Sequence, residues 1–144
     1  SIREISPVKI AVITNASLFI DPLVRQEVLQ SDLIVPSLDA ATQDVFNKVD
    51  RPHSGINVKD IIEGLVSLRK EFKRKIFIEV MLIKAINDDI RHIRKLKKDL
   101  DRINPDKIQI NSPVRSTCEE GVLAVDKLKL KRIREILGEK AEIV

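Results

Sequence analysis

Glu79 is the residue hardest to explain as packing. It stands inside the run Ile76-Phe77-Ile78-Glu79-Val80-Met81-Leu82-Ile83, where a carboxylate is costly unless it is paired or faces a wet cavity. Two readings fit: a structural ion pair with Lys84 or Arg115, or an acid aimed into a solvated chamber. Gln109 and Asn111 suit the chamber. In Lys107-Ile108-Gln109-Ile110-Asn111 the two-residue period of a strand sets both amides on one face and Ile108 and Ile110 on the other. Polar groups also follow the other apolar runs: Thr14-Asn15, Ser37-Leu38-Asp39, Lys84 with Asn87, and Arg115. Each has a plainer use as well. Ser37, Asp39 and Asn87 can cap helices, and Thr14-Asn15 can be turn chemistry.

Several chemistries are argued against by what the chain lacks. There is one cysteine, Cys118, so no internal disulfide forms and the cytosol is the expected compartment. One thiolate cannot hold a [4Fe–4S] cluster. His53 in its Pro-containing loop and His92 in a basic helix are both expected at the surface, and neither has partners at metal-ligand spacing. Only four Gly occur, none at a strand-to-helix turn, and neither a phosphate loop nor a G-x-S-x-G elbow is present. No apolar run reaches the ~18–20 residues that span a bilayer. The N-terminus carries no signal-peptide pattern, and a start at Ser1 suggests a processed chain or a part of something longer. Net charge is +4, and the basic stretches 69–75 and 91–98 read as solvated helix faces.

The elements that must position these groups alternate along the chain. With 43% hydrophobic and 33% charged residues, residues 1–144 are expected to form a single folded domain. Strand-like runs cover 9–14, 33–36, 76–83 and 107–111, with a last short one at 141–144. Helical patterns cover 21–30, 40–49, 57–72, 88–103 and 126–137. Asp21-Pro22 opens the first helix, Asn57 caps the third, and Gly138 closes the last. Strand–helix repetition means βαβ units and a mainly parallel sheet. Two closures satisfy it: a doubly wound sheet with helices on both faces, or a partial (β/α) barrel of four to five strands with helices on the outer face. Four or five strands cannot close an eight-stranded barrel. Either way the ligand site lies beyond the carboxyl ends of the strands.

Four segments in order carry a resemblance. Ala11-Val12-Ile13-Thr14-Asn15-Ala16-Ser17-Leu18 resembles the third-strand T-N-G segment of radical S-adenosylmethionine enzymes. Val35-Pro36-Ser37-Leu38-Asp39-Ala40 is similar to their fourth-strand S-L-D-A, followed by Arg51-Pro52-His53 for R-P-H. Glu79-Val80-Met81-Leu82-Ile83-Lys84-Ala85-Ile86-Asn87-Asp88 resembles the fifth strand, E-V-M-L-V-K-G-x-N-D. Gln109-Ile110-Asn111-Ser112-Pro113-Val114-Arg115 resembles the sixth, Q-L-N-T-P-V-R. The match covers about 8–115, leaving 116–144 as a helical tail. Within the superfamily it points to iron–sulfur oxidoreductases resembling wyosine-tRNA synthetases.

The resemblance implies Ser37 and Asp39 near the ribose of S-adenosylmethionine and Thr14-Asn15 beside cofactor or substrate. Glu79, Lys84, Gln109, Asn111 and Arg115 would line the lumen. The family's C-x-x-x-C-x-x-C loop and second-strand G-G-E segment are absent, and the chain starts where the third strand would. Ala16 and Ala85 stand where the family has Gly. The expectation is therefore a fragment of an enzyme whose complete form holds a [4Fe–4S] cluster and cleaves S-adenosylmethionine to a 5'-deoxyadenosyl radical. This chain alone is expected to be inactive and to bind neither group nor any metal. Its partner would be the missing N-terminal barrel segment or a second copy in a homodimer; tRNA enters only at family level, and a membrane does not. The alternatives are a non-catalytic half-barrel that self-associates or binds another protein, and an unrelated doubly wound binding domain.

Overall fold

Five apolar runs form one all-parallel sheet whose spatial order is the chain order: β1 (Ala11–Thr14), β2 (Leu33–Pro36), β3 (Lys75–Met81), β4 (Lys107–Asn111) and β5 (Ala141–Ile143). The structure, a computed structural model, describes residues 11–14, 17, 19–50, 56–112 and 124–144. Between the strands run α1 (Pro22–Glu27), α2 (Gln43–Asp50), α3 (Val58–Glu71), α4 (Ile90–Ile103) and α5 (Lys127–Leu137). Sequential parallel strands joined by right-handed crossovers put every connecting helix on the same face. The helices accordingly pack side by side, α2 on α3, α3 on α4 and α4 on α5. This is an arc of a barrel, not a doubly wound sheet.

Burial follows that asymmetry. Ile34, Ile76, Ile78, Val80 and Ile110 are fully buried under the helices, while Leu33, Val35, Phe77, Glu79, Met81, Gln109 and Asn111 on the other face stay half-buried. Ile61, Leu65 and Leu68 of α3 and Ile93, Leu96, Leu100 and Ile103 of α4 complete the core, each at the spacing of one helical stripe. The ladder from β2 to β3 runs through Leu33 and Ile34 and resumes only as a Ser37–Glu79 bridge. Pro36, with no N–H to give, stands in the gap.

Two helices start later than their sequence patterns suggest. The second begins at Gln43, with Thr42 Oγ1 accepting the Val45 N–H, so Asp39 is not its cap. The fourth is entered from Asp89, so Asn87 is not its cap either. Both carboxamide and carboxylate are used elsewhere, as described below.

Gly64 sits mid-helix in α3, a position that ordinarily costs ~1 kcal/mol relative to Ala. The chain corner before α1 explains it. A Cβ there would lie 2.6 Å from Ile20 N and 2.6 Å from the Phe19 carbonyl carbon. The same corner is held from its other side by Arg25, whose guanidinium donates to Phe19 O at 2.7 Å and to Glu71 Oε2 at 2.9 Å. Gly64→Ala is expected to lower stability by about 2 kcal/mol, the backbone clash outweighing the gain in helix propensity. A urea midpoint equal to or above wild type would contradict this.

Candidate functional site

Strand register brings part of the expected site together. Ser37 bridges Glu79, Glu79 pairs with Gln109, and Gln109 pairs with Glu142, so four polar side chains cross the open face in one row. Neighbouring strands lie ~4.8 Å apart, close enough for two of these groups to share a ligand. Met81 and Asn111 pair one row nearer the strand exits. Phe77 and Lys107 pair one row below, the ammonium 5.2 Å from the ring centre. Among the described residues the Glu79 carboxylate has no salt-bridge partner. Of the two readings of Glu79, the ion pair with Lys84 is not formed: Lys84 is exposed in the turn after β3. Thr14 lies in β1 in register with Pro36. Asn15 and Arg115, like Ala16, Arg51, Pro52, His53 and Cys118, fall outside the described residues.

The strand exits are stitched by buried polar groups. Asp39 Oδ1 accepts the Met81 N–H at 2.8 Å. Asn87 donates its two amide hydrogens to Asp39 O and Met81 O, both at 2.8 Å, and accepts the Ile83 N–H at 2.8 Å. Ser112 donates to Leu82 O and accepts the Val125 N–H, tying the exit of β4 to that of β3. Asp88 receives the Ala85 N–H and pairs with Lys129 at 3.2 Å.

His92 departs from the sequence reading. It is buried, not on the surface. Nε2 accepts the Ala41 N–H at 2.9 Å and Nδ1 lies 3.1 Å from Asn87 O, which assigns the proton to Nδ1 of a neutral ring. Burial pushes its pKa below the ordinary imidazole value. The Asn87 carbonyl and Asp89 pull the other way, and Lys95 adds to the depression. The signal was in the spacing: His92 precedes Leu96, Leu100 and Ile103 on the apolar stripe. Glu142 was missed because a three-residue strand leaves too little alternation to place a face.

Among the described residues no group of three metal-ligating side chains occurs, and no helix is long and apolar enough to cross a membrane. A cleft of about 630 Å³ opens at the opposite end of the sheet, between Arg69, Lys73, Arg74, Asp106 and Lys140. It is bound up with structural contacts. Asp106 accepts from Arg69 and from the Ile76 N–H; burial alone would raise its pKa, but these partners hold it below the ordinary carboxylate range.

A one-sided parallel arc whose polar row no described helix covers is the class of site these features define. Solved structures share the fold of the arc. The chain superposes on a domain of pyruvate-formate lyase-activating enzyme from Bacteroides vulgatus with TM-score 0.77 and 17% identity, over 96% of this chain and 82% of that one. A radical SAM methyltransferase from Sphaerobacter thermophilus gives TM-score 0.71 at 18% identity, over 93% of this chain and 39% of that one. Streptococcus suis SuiB bound to S-adenosylmethionine gives 0.65 at 16%, over 95% and 32%. These likenesses establish the fold.

In sequence, the chain is 31% identical over 134 residues to a GTPase Obg of Brachyspira hyodysenteriae, 93% of this chain and 20% of that protein. It is 29% identical over 137 residues to a UPF0026 protein of Methanocaldococcus jannaschii, 95% and 42%. With a UPF0026 protein of Helicobacter pylori J99 it shares 31% over 115 residues, 77% and 37%. The chain thus spans between a fifth and about two fifths of these curated relatives. No family model matches it.

Two outcomes follow from the exit network. Ala85 holds φ at +66°, a conformation Gly adopts without penalty, so Ala85→Gly should raise stability by about 1 kcal/mol in urea unfolding; a lowered midpoint would contradict it. His92, neutral in the fold, titrates near pH ~6.5 once unfolded. Its contribution is therefore complete above that value and is lost as pH falls toward the depressed folded pKa, because the unfolded chain takes up the proton first. Urea midpoints from pH 7.5 downward should fall more steeply for wild type than for His92→Gln, and parallel curves would refute the assignment.

Proposed function

We infer that these residues are the later part of a radical S-adenosylmethionine enzyme barrel, whose open face is one wall of the chamber where cofactor and substrate meet. The observation that carries this is the row Ser37–Glu79–Gln109 on the uncovered face of a one-sided parallel arc. The four ordered motifs and the shared fold support it, and within that superfamily the motifs favour iron–sulfur oxidoreductases resembling wyosine-tRNA synthetases. The compartment is then the cytosol.

The cluster and the cofactor fit these residues differently. A [4Fe–4S] cluster needs several thiolates and the chain has one cysteine, so its ligands lie in other residues of the complete enzyme. A ribose does fit: Ser37 can donate or accept, and the adjacent Glu79 carboxylate accepts from sugar hydroxyls. S-adenosylmethionine supplies the hard chemistry when bound. The chain's own work is to hold and orient. Asp39, assigned with Ser37 to the ribose by the motif match, also receives the Met81 N–H and so ties the exits of β2 and β3, and Gln109 and Asn111 offer amides to the methionine end or the substrate. Thr14, Asn15, Lys84 and Arg115 are assigned to the same rim by the motif match. GTP hydrolysis does not come with the likeness to the GTPase, since the sequence has no Gly-rich phosphate loop.

A second reading, a non-catalytic half-barrel paired with itself or another chain, draws on the outer edges of β1 and β5, which no described strand covers. Titration of S-adenosylmethionine into the full native product separates the two. The enzyme reading expects binding that Ser37→Ala weakens about tenfold, the worth of one hydrogen bond to the ligand. No binding, or an affinity indifferent to Ser37, would sink it and leave the half-barrel.

A further inference from the structure

The connection that follows β2 carries two of the residues assigned to the open-face site, Ser37 and Asp39, and it is clamped at four points. The Leu38 N–H donates to Glu79 O at 3.0 Å, and Asp39 Oδ1 accepts the Met81 N–H at 2.8 Å. The Asn87 amide donates to Asp39 O at 2.8 Å. The fourth clamp comes from the first turn of α4, where His92 Nε2 accepts the Ala41 N–H at 2.9 Å. Of the four acceptors, only the imidazole is of a type that changes its charge between about pH 5 and 8.

Packing alone does not call for an imidazole here. His92 is buried in line with Leu96, Leu100 and Ile103, where an aliphatic side chain would fill the stripe without desolvating two ring nitrogens. What the ring adds is an acceptor for the Ala41 N–H, which lies between β2 and α2 and outside the ladder of either. Nδ1 lies 3.1 Å from Asn87 O, so a single ring ties the β2 exit to the turn that follows β3. That carbonyl belongs to the residue whose own side chain joins the same two exits. The charges around the ring are of both signs. Asp89 and Lys95 stand on its own helix, Asp39 at the β2 exit, and Asp88 in the turn, where Lys129 of α5 pairs with it. Beyond Ala41, the cleft between α2, α3 and α4 carries Lys59, Glu63, Asp99 and Arg102.

We propose that His92 is a positioning residue of the open-face site: by holding the Ala41 N–H, its neutral ring sets Ser37 and Asp39 against Glu79. The assignment rests on reading that face as a ligand wall. Protonation reverses the contact. An imidazolium has two donors and no acceptor, so Nε2–H would meet the Ala41 N–H head on and the connection must let go. Ser37, four residues upstream, then loses one anchor of its loop while the strand ladders below stay intact. Burial pushes the pKa of the ring down, so the clamp is closed at neutral pH and opens as pH falls through that depressed value. The polar row is fully assembled only while His92 is neutral.

Two measurements test it. The first is amide hydrogen exchange of this chain, read residue by residue by NMR. In His92→Leu, Leu38 and Ala41 should exchange about tenfold faster than in wild type at pH ~7.5. Ile108, whose N–H is bonded to Lys140 O near the opposite end of the sheet, should stay within about twofold. H92Q, whose amide can accept from Ala41 and donate to Asn87 O, should restore the protection and remove its pH dependence. Equal acceleration at Ile108 would show general destabilisation and overturn the assignment, as would Leu38 protection indifferent to both substitutions. The second is titration of S-adenosylmethionine into the full native product. Wild-type affinity should fall about tenfold from pH ~7.5 to pH ~5.5, and that of H92Q less than about threefold; the comparison cancels the carboxylates, Asp39 included. The same pH dependence in both proteins would overturn the role of His92. No binding at pH ~7.5 with the exchange pattern intact would instead overturn the reading of the open face and leave the clamp standing.

Discussion

The five described strands of the parallel sheet need their exits held in place, and the Asn87 side chain does most of that holding between β2 and β3. Its amide reaches the exit of β2 through Asp39 O and the exit of β3 through Met81 O, while its oxygen takes the Ile83 N–H. Both donors and the oxygen are engaged inside a fully buried site, where an unmade bond would cost the full desolvation of a polar group. His92 extends the same network to Ala41, and Ser112 extends it to β4. In parallel α/β sheets ligands bind beyond the carboxyl ends of the strands, the end that this network makes rigid.

The rest of the architecture sets which face remains available. Helices fill one side with aliphatic side chains. The opposite side carries Ser37, Glu79, Gln109 and Glu142 in a line, bracketed by the Phe77–Lys107 and Met81–Asn111 pairs. Among the described residues no side chain pairs with this row, which costs stability unless water or a ligand satisfies it. That cost makes sense for a binding wall and has no evident structural return.

Much of this was legible in the sequence. The strands and helices follow from apolar periodicity, and the alternation in Lys107–Asn111 put Gln109 and Asn111 on one face, while Glu79 stood alone in an otherwise apolar run. Chain order became spatial order because right-handed crossovers leave few other arrangements. What was not legible was long-range. Asp39 and Asn87 looked like helix caps because local rules reward them there; only β2 and β3 side by side show that they bridge strand ends. His92 looked superficial because its helix is basic, although it sits in line with Leu96 and Leu100. Gly64 carried no local sign of the Phe19–Ile20 corner pressing on it.

The central claim is that these residues complete a larger barrel, and the mass of the native protein tests it most directly. An antibody raised against this chain would be used on an extract of the source cells under denaturing conditions. The account predicts a product clearly heavier than 16.4 kDa, with room for the thiolates that a cluster needs. A sole product at 16.4 kDa would contradict it and leave the open face to be explained by a partner chain.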